Sequence, residues 1–156
     1  MKIIVDSREK PQAIRNILAY FDRHGIEYER VALKTGDYML EGREDLIIDR
    51  KQSLGELATN LCSPDRRRFY NEIRRAHDEG IQLIILCEHG CGIKTLADVK
   101  DWKNKYGKVT GRMLQDKIYQ LQMAYSVPVL YCDKRSTGRR IVEILTEENN
   151  GHEQPE

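Results

Sequence analysis

Apolar positions in this 156-residue chain alternate between short continuous runs and helical spacings. Lys2 to Val5 predicts a first strand, and Ile14, Ile17, Leu18 and Phe21 recur as on one face of a helix. Pro11 suits the first position of that helix and Gly25 its end. A second strand is expected near Tyr28 to Leu33. The stretch "TGDYMLEGREDLIIDRK" reads as two strands joined by a turn around Gly42. Ser53 starts a short helix running through Asn60. "SPDRRRFYNEIRRAHDEG" predicts a longer helix, with Pro64 at its beginning, Gly80 at its end, and Phe69, Ile73 and Ala76 facing inward. "IQLIILCE" is a near-continuous apolar run, as in a central strand covered on both faces. Residues 91 to 110 are loop-like and rich in lysine. Leu114, Ile118, Leu121 and Tyr125 mark another amphipathic helix, "VPVLYC" a strand, and Ser136 to Glu147 a last helix.

This order of elements predicts an α/β fold with a central mixed sheet flanked by helices. The length fits one domain, expected over residues 1 to 148, with 149 to 156 a disordered acidic tail. Hydrophobic residues make up 40% and charged residues 33%, which suits a highly charged surface around one core. No run approaches the ~20 apolar residues of a membrane span, and "MKIIVDSREK" is too charged for a signal peptide. No membrane association and no small-molecule organic cofactor are expected.

Charge changes the picture through its distribution. The chain carries +1 overall, but residues 143 to 156 hold five acids and no lysine or arginine, so residues 1 to 142 carry +6. Five arginines fall within residues 62 to 75, and six lysines with Arg112 within 94 to 117. Such patches attract phosphate backbones. Cysteines stand at 62, 87, 91 and 132, and reduced thiols in a cytoplasmic compartment are the expectation. "CEHGC" (87 to 91) lacks a second ligand pair at zinc-finger spacing, so a strand end followed by a loop is the favoured reading over zinc.

The chemistry concentrates in the hairpin. With a loop at 42 to 44, paired residues have numbers summing to 86, which puts Asp37 directly opposite Asp49. Lys51 shares the Asp49 face, while Arg50 points to the other. Like charges directly opposed are destabilising, unless a hard divalent cation bridges them. An amine beside such a pair can position or deprotonate a water, or stabilise charge on a phosphate. Two acids and an amine on one face are what a metal-dependent phosphodiester hydrolase needs.

"GD" (36 to 37) followed by "DRK" (49 to 51) resembles the PD-(D/E)XK nuclease pattern. With "VDSRE" (5 to 9), "GDY" (36 to 38) and "RRRFYNE" (66 to 72), the chain is similar to the XPF-type nuclease domain family of structure-specific DNA endonucleases, over about residues 2 to 147. Asp49 stands where that family usually has Glu. The resemblance implies a restriction-endonuclease-like fold and an Mg²⁺ or Mn²⁺ ion held by Asp37 and Asp49, with Glu9 near the metal or its water. Asp6 would complete the acidic cluster, Lys51 would be the catalytic amine, and Arg50 would contact phosphate or a nearby acid. Glu9 alternatively serves the first helical turn, and Arg8 and Arg68 are either DNA contacts or ion-pair partners. Arg67, Arg68, Lys103, Lys105 and Lys108 are candidate DNA contacts. Trp102 and Tyr106 are interleaved with those lysines, and Trp102 either stacks on a base or anchors the loop to the core.

The expected function is therefore a metal-dependent endonuclease acting on branched or otherwise structured DNA, with DNA and a second copy of the chain (a homodimer) as partners. Alternatives are a non-cleaving, nuclease-like DNA-binding scaffold and a junction-resolving or restriction-like enzyme on the same fold. No counterpart of the tandem helix-hairpin-helix domains usual in the family is expected in the few residues after the last helix.

Overall fold

The structure, a computed structural model, describes residues 1–147; the acidic segment expected at 149 to 156 lies outside the described residues. Six strands form one sheet in the order β2-β1-β3-β4-β5-β6. They are β1 (Lys2–Asp6), β2 (Glu27–Val31), β3 (Tyr38–Leu40), β4 (Arg43–Lys51), β5 (Gln82–Cys87) and β6 (Val129–Tyr131). β3 is antiparallel to both neighbours and the other pairings are parallel, giving the mixed sheet that the element order implies. The helices are α1 (Arg15–Arg23), α2 (Leu54–Cys62), α3 (Arg66–Asp78), α4 (Leu96–Val99), α5 (Gly111–Tyr125) and α6 (Thr137–Thr146).

Side chains alternate across each strand, so the sheet divides the core in two. On one face Ile47, Leu83, Ile85 and Val129 pack with Leu57, Phe69, Ile73, Leu114 and Ile118 of α2, α3 and α5. On the other, Ile3, Val5, Tyr38, Ile48 and Leu86 pack with Ile17 and Phe21 of α1 and with Ile141 and Leu145 of α6. β5 supplies both faces, which is why its sequence is an unbroken apolar run. Asp49 and Lys51 share the α2–α3 face with Ile47. Arg50 shares the α1–α6 face with Ile48.

Several element ends depart from the sequence pattern. Residues around Pro11 form a turn closed by Ala13 N–H to the Lys10 carbonyl, and α1 begins only at Arg15. β2 stops at Val31, because an edge strand with mostly exposed residues has little burial to extend it. The stretch 91 to 110 is not wholly irregular. Thr95 and Asp98 form a capping box at the start of the one-turn helix α4, a spacing visible in the sequence but followed by too few apolar positions to register as a helix.

The hairpin register decides where the acids fall. Tyr38 pairs with Ile48 and Met39 with Ile47, as expected. The route is different: the turn is Glu41-Gly42, Leu40 pairs with Arg43, and the register shifts between Met39 and Leu40. The extra residues on β4 bulge out and restore the predicted alignment.

Gly36 is what lets the chain reach β4 at that point. Its φ is +69°, and a Cβ there would lie 2.3 Å from Ile47 Cγ2 and 3.1 Å from the Ile48 carbonyl oxygen. This close approach allows Asp37 N–H to donate to the Ile48 carbonyl at 2.8 Å, while Asp6 N–H donates to the Asp37 carbonyl at 2.8 Å. Gly36→Ala combines a left-handed backbone with overpacking and should destabilise by about 2–4 kcal/mol. Gly42→Ala, at φ +86° with nothing within 4 Å, should cost only about 1 kcal/mol. Urea midpoints of the two variants check this, and equal losses would remove the close approach as the reason for glycine at 36.

Candidate active site

β1 and β4 end side by side with the start of β3, and a cleft of about 470 Å³ opens there between the sheet, α2 and α3. Its floor carries Asp37, Asp49 and Lys51, so the hairpin and the strand period bring together the three residues that the sequence singled out. Lys51 is 7% exposed; its Nζ lies 3.5 Å from Asp49 Oδ2 and 4.7 Å above the Phe69 ring centroid. That cation–π contact and the ion pair fix an otherwise flexible amine.

Asp37 is the strained group. Its Oδ2 accepts the Arg50 backbone N–H at 2.7 Å. Burial pushes its carboxyl well above the usual carboxylate range, the negative charges of Asp49 and Glu9 push it further, and the Arg50 N–H only partly opposes them. A carboxyl made more basic by an adjacent carboxylate is a site that favours a proton or a cation between the two.

On the opposite face of β4 lies a second charged group. Arg50 has 4% of its side chain exposed; its Nε donates to Glu9 Oε2 at 2.7 Å, its Nη2 to Glu9 Oε1 at 3.2 Å, and its Nη1 to Glu88. Tyr38 donates its hydroxyl to Glu9 at 2.8 Å, and Thr137 donates to Glu88 Oε2 at 2.6 Å. Burial alone would lower the Arg50 guanidinium, but Glu9 and Glu88 more than offset it and hold it above its ordinary value. Glu9, expected near the metal or its water, is thus committed through both oxygens to Arg50 and through one of them to Tyr38. Arg50 meets acids, one of the two roles expected of it.

Asp6 lines the cleft, but its carboxylate accepts Leu33 N–H at 3.0 Å and Arg8 Nε at 3.1 Å, so it ties the approach to Asp37 in place. The metal-capable set therefore narrows to Asp37 and Asp49. Among the described residues no cluster of three or more His, Cys, Asp or Glu is arranged for a metal. In "CEHGC", Cys87 is buried with its thiol pushed up to about 12 by burial, Cys91 is exposed, and His89 Nδ1 accepts Leu54 N–H at 3.1 Å.

Four basic side chains, Arg8, Lys34, Arg68 and Arg75, border the cleft together with Asp65 and Glu72, and Lys34 Nζ pairs with Glu79 Oε2 at 3.2 Å. Arg68, Glu72 and Arg75 recur on the cleft side of α3, whereas Arg67 is exposed and lines no part of the cleft. Lys103, Lys105 and Lys108 are exposed in the loop beyond α2, outside the cleft. Trp102 packs half-buried against the core, edge-on to His89, which is the anchoring role. Lys34, Arg75, Glu88 and Thr137 were missed by sequence reasoning. For Arg75 the helical repeat from Arg68 was a usable signal; for Glu88 and Thr137, 49 residues apart, there was none.

Two outcomes follow from these charges. Truncating Arg50 to Leu, or Glu88 to Ala, leaves a buried partner uncompensated and should cost about 3–5 kcal/mol each. The double variant should lose clearly less than the sum, as read by urea unfolding; strict additivity would dissolve the pair. Asp37, with a folded-state pKa above its unfolded value, adds stability only where it is protonated, and that contribution is lost as pH rises through the folded pKa. In chelator the melting temperature should therefore rise from mildly alkaline to mildly acidic pH. Asp37→Asn should add a few tenths to ~1 kcal/mol of stability at alkaline pH and flatten the rise in melting temperature. A parent that melts lower on mild acidification contradicts it.

The ERCC4 domain family matches residues 5–144 of the chain. Among solved structures, the chain is similar to XPF from Aeropyrum pernix at 19% identity with a TM-score of 0.70, covering 96% of this chain and 65% of that one. It is equally similar in fold to XPF from Aeropyrum pernix in complex with DNA, at 17% identity, a TM-score of 0.70, and 99% and 68% coverage. The chain thus spans about two thirds of the length of those proteins. Among curated protein sequences, none matches. The sheet order, the neighbouring acids and the lysine accompany a match over residues 5–144, which establishes that this chain belongs to the ERCC4 domain family.

Proposed function

We propose that this protein is a divalent-metal-dependent DNA endonuclease. The observation that carries the reading is the meeting of Asp37, Asp49 and Lys51 at the floor of a cleft that Arg8, Lys34, Arg68 and Arg75 border. Family membership supports nuclease chemistry, and DNA as partner is supported by the DNA bound to the Aeropyrum pernix XPF of like fold. The presence of both acids and the amine favours a cutting enzyme over a non-cleaving scaffold.

The donor set suits a hard cation such as Mg²⁺ or Mn²⁺. Two carboxylates meet in the cleft, and the charge of Asp49 raises the proton affinity of Asp37, which is the repulsion a bridging cation would relieve. Bound there, such an ion would polarise the scissile phosphate and acidify a water. Arg8, Lys34, Arg68 and Arg75 would hold the phosphates on either side at the rim. Asp6 orients Arg8 for that task through its Nε. Lys51, fixed over Phe69, would keep its Nζ proton donors at the reacting phosphate or its water. Arg50, on the opposite face, keeps the end of β4 in register so that Asp49 and Lys51 point into the cleft. A preference for branched or otherwise structured DNA and pairing into a homodimer belong to the same proposal, on the family resemblance.

The test compares labelled single-stranded, duplex, flap and four-way DNA, each with Mg²⁺ and with chelator. Cleavage of none of them in Mg²⁺ or Mn²⁺ would sink the reading. Lys51→Ala should lower cleavage by ~10²–10⁴-fold while binding is largely kept. Cleavage within about threefold of the parent removes Lys51 from the chemistry. Melting should also respond to Mg²⁺: the parent should gain ~2.7 kcal/mol at one hundred times its dissociation constant, and Asp37→Asn far less. Equal gains would mean that the two aspartates do not share a metal.

A further inference from the structure

α2 has a second hollow on the side away from the acids. A groove of about 430 Å³, within the range of ligand pockets, lies between α2 and the turn at residues 104–109. Thr59 and Ser63 line both this groove and the acid cleft, so the two hollows adjoin at the end of α2. The helix side is built from small residues, Gly55, Ala58 and Thr59, which leaves room for a flat group. Opposite them stands Tyr106, 96% exposed, the most exposed large apolar side chain among the described residues.

The turn that carries this tyrosine is already shaped. Asn104 Oδ1 accepts Tyr106 N–H at 3.1 Å, and Asn104 Nδ2 donates to the Val109 carbonyl at 3.1 Å. An aromatic ring held in water on an ordered turn is a poor use of apolar area, unless something flat covers it. The surroundings say what that is. Lys103, Lys105 and Lys108 are exposed along the turn. The one acid in the groove, Glu56, is taken up at the start of α2, where its Oε1 accepts Gln52 N–H at 2.8 Å. Aromatic ring, lysines and small-residue wall together match a single-stranded nucleic acid, whose bases stack and whose phosphates pair.

We propose that this groove binds an unpaired nucleotide of the DNA substrate, with Tyr106 stacked on its base and the strand passing over Thr59 and Ser63 into the acid cleft. The proposal rests on the nuclease reading and deepens it. A duplex has no unstacked base to offer, so the groove would select substrates with a single-stranded arm beside the scissile bond.

Binding is measured in chelator, without cleavage, by anisotropy of a labelled oligothymidine of about ten nucleotides and of a blunt duplex. Tyr106→Ala should weaken single-strand binding at least about fivefold, the low end of a base–aromatic stack, with duplex binding within about twofold of the parent. Tyr106→Phe, which keeps the ring, should bind like the parent. Gly55→Leu should reproduce the loss by filling the groove, since its Cβ would meet only Ser53 Oγ, at an ordinary 3.4 Å. In Mg²⁺, Tyr106→Ala should slow cleavage of a flap more than of a duplex. Single-strand affinity unchanged in both variants, with duplex binding intact in the parent, overturns the groove alone. Equal losses on single strand and duplex also overturn it, making the turn a general phosphate contact. A parent that binds neither DNA overturns the nuclease reading with it.

Discussion

Arg50 sits almost wholly out of water at the end of β4, with Glu9 gripping two of its nitrogens and Glu88 a third. Taking three charges out of water costs several kcal/mol per ion, which only near-complete bonding can offset. Here the bonding is nearly complete, because Tyr38 and Thr137 fill further lone pairs on the two acids. The group joins the segment after β1, the hairpin, the end of β5 and the start of α6. A strand bearing Asp-Arg-Lys at its end would otherwise fray into water. Pinned by its middle residue, it must present the two outer ones, Asp49 and Lys51, on the opposite face.

That face then carries a deliberate conflict. Gly36 lets the chain approach β4 closely, and Asp6 ties Leu33 and Arg8, so Asp37 has no freedom to move away from Asp49. Burial and the neighbouring Asp49 carboxylate together raise the proton affinity of Asp37. The fold thus holds two carboxyl groups together, with a lysine clamped beside them. The other acids nearby are engaged elsewhere: Glu9 with Arg50 and Asp6 with Leu33 and Arg8.

Around this floor the positive charges are arranged by α3 and the loops. Arg68 and Arg75 lie on one side of α3, with Arg8 and Lys34 across the cleft. α2 forms the wall between this cleft and the groove beneath Tyr106, so one short helix borders both hollows. Its sequence reflects the two duties: Leu54, Leu57 and Leu61 face the core, while Gly55, Thr59 and Ser63 just beyond its end keep the borders narrow.

The sequence by itself determined most of the elements, the mixed α/β class and the shared face of Asp49 and Lys51. Helical and strand periods are local, and a two-residue period is enough to place Asp49 and Lys51 on one face and Arg50 on the other. It also placed Tyr38 opposite Ile48 and Met39 opposite Ile47, although by a simpler turn than the one formed, since a bulge on β4 restores the same alignment. Only the tertiary structure decided the fate of Glu9. From sequence it was one more acid after β1, and nothing local says that its oxygens meet a guanidinium 41 residues away. Glu88 and Thr137 were invisible for the same reason, because buried charges choose partners by the three-dimensional distance between elements. The division of the basic residues, with Arg68 and Arg75 in the cleft, Arg67 outside it and the lysines beyond α2, was likewise settled by how the helices pack on the sheet, since charge runs carry no direction until a core gives them one.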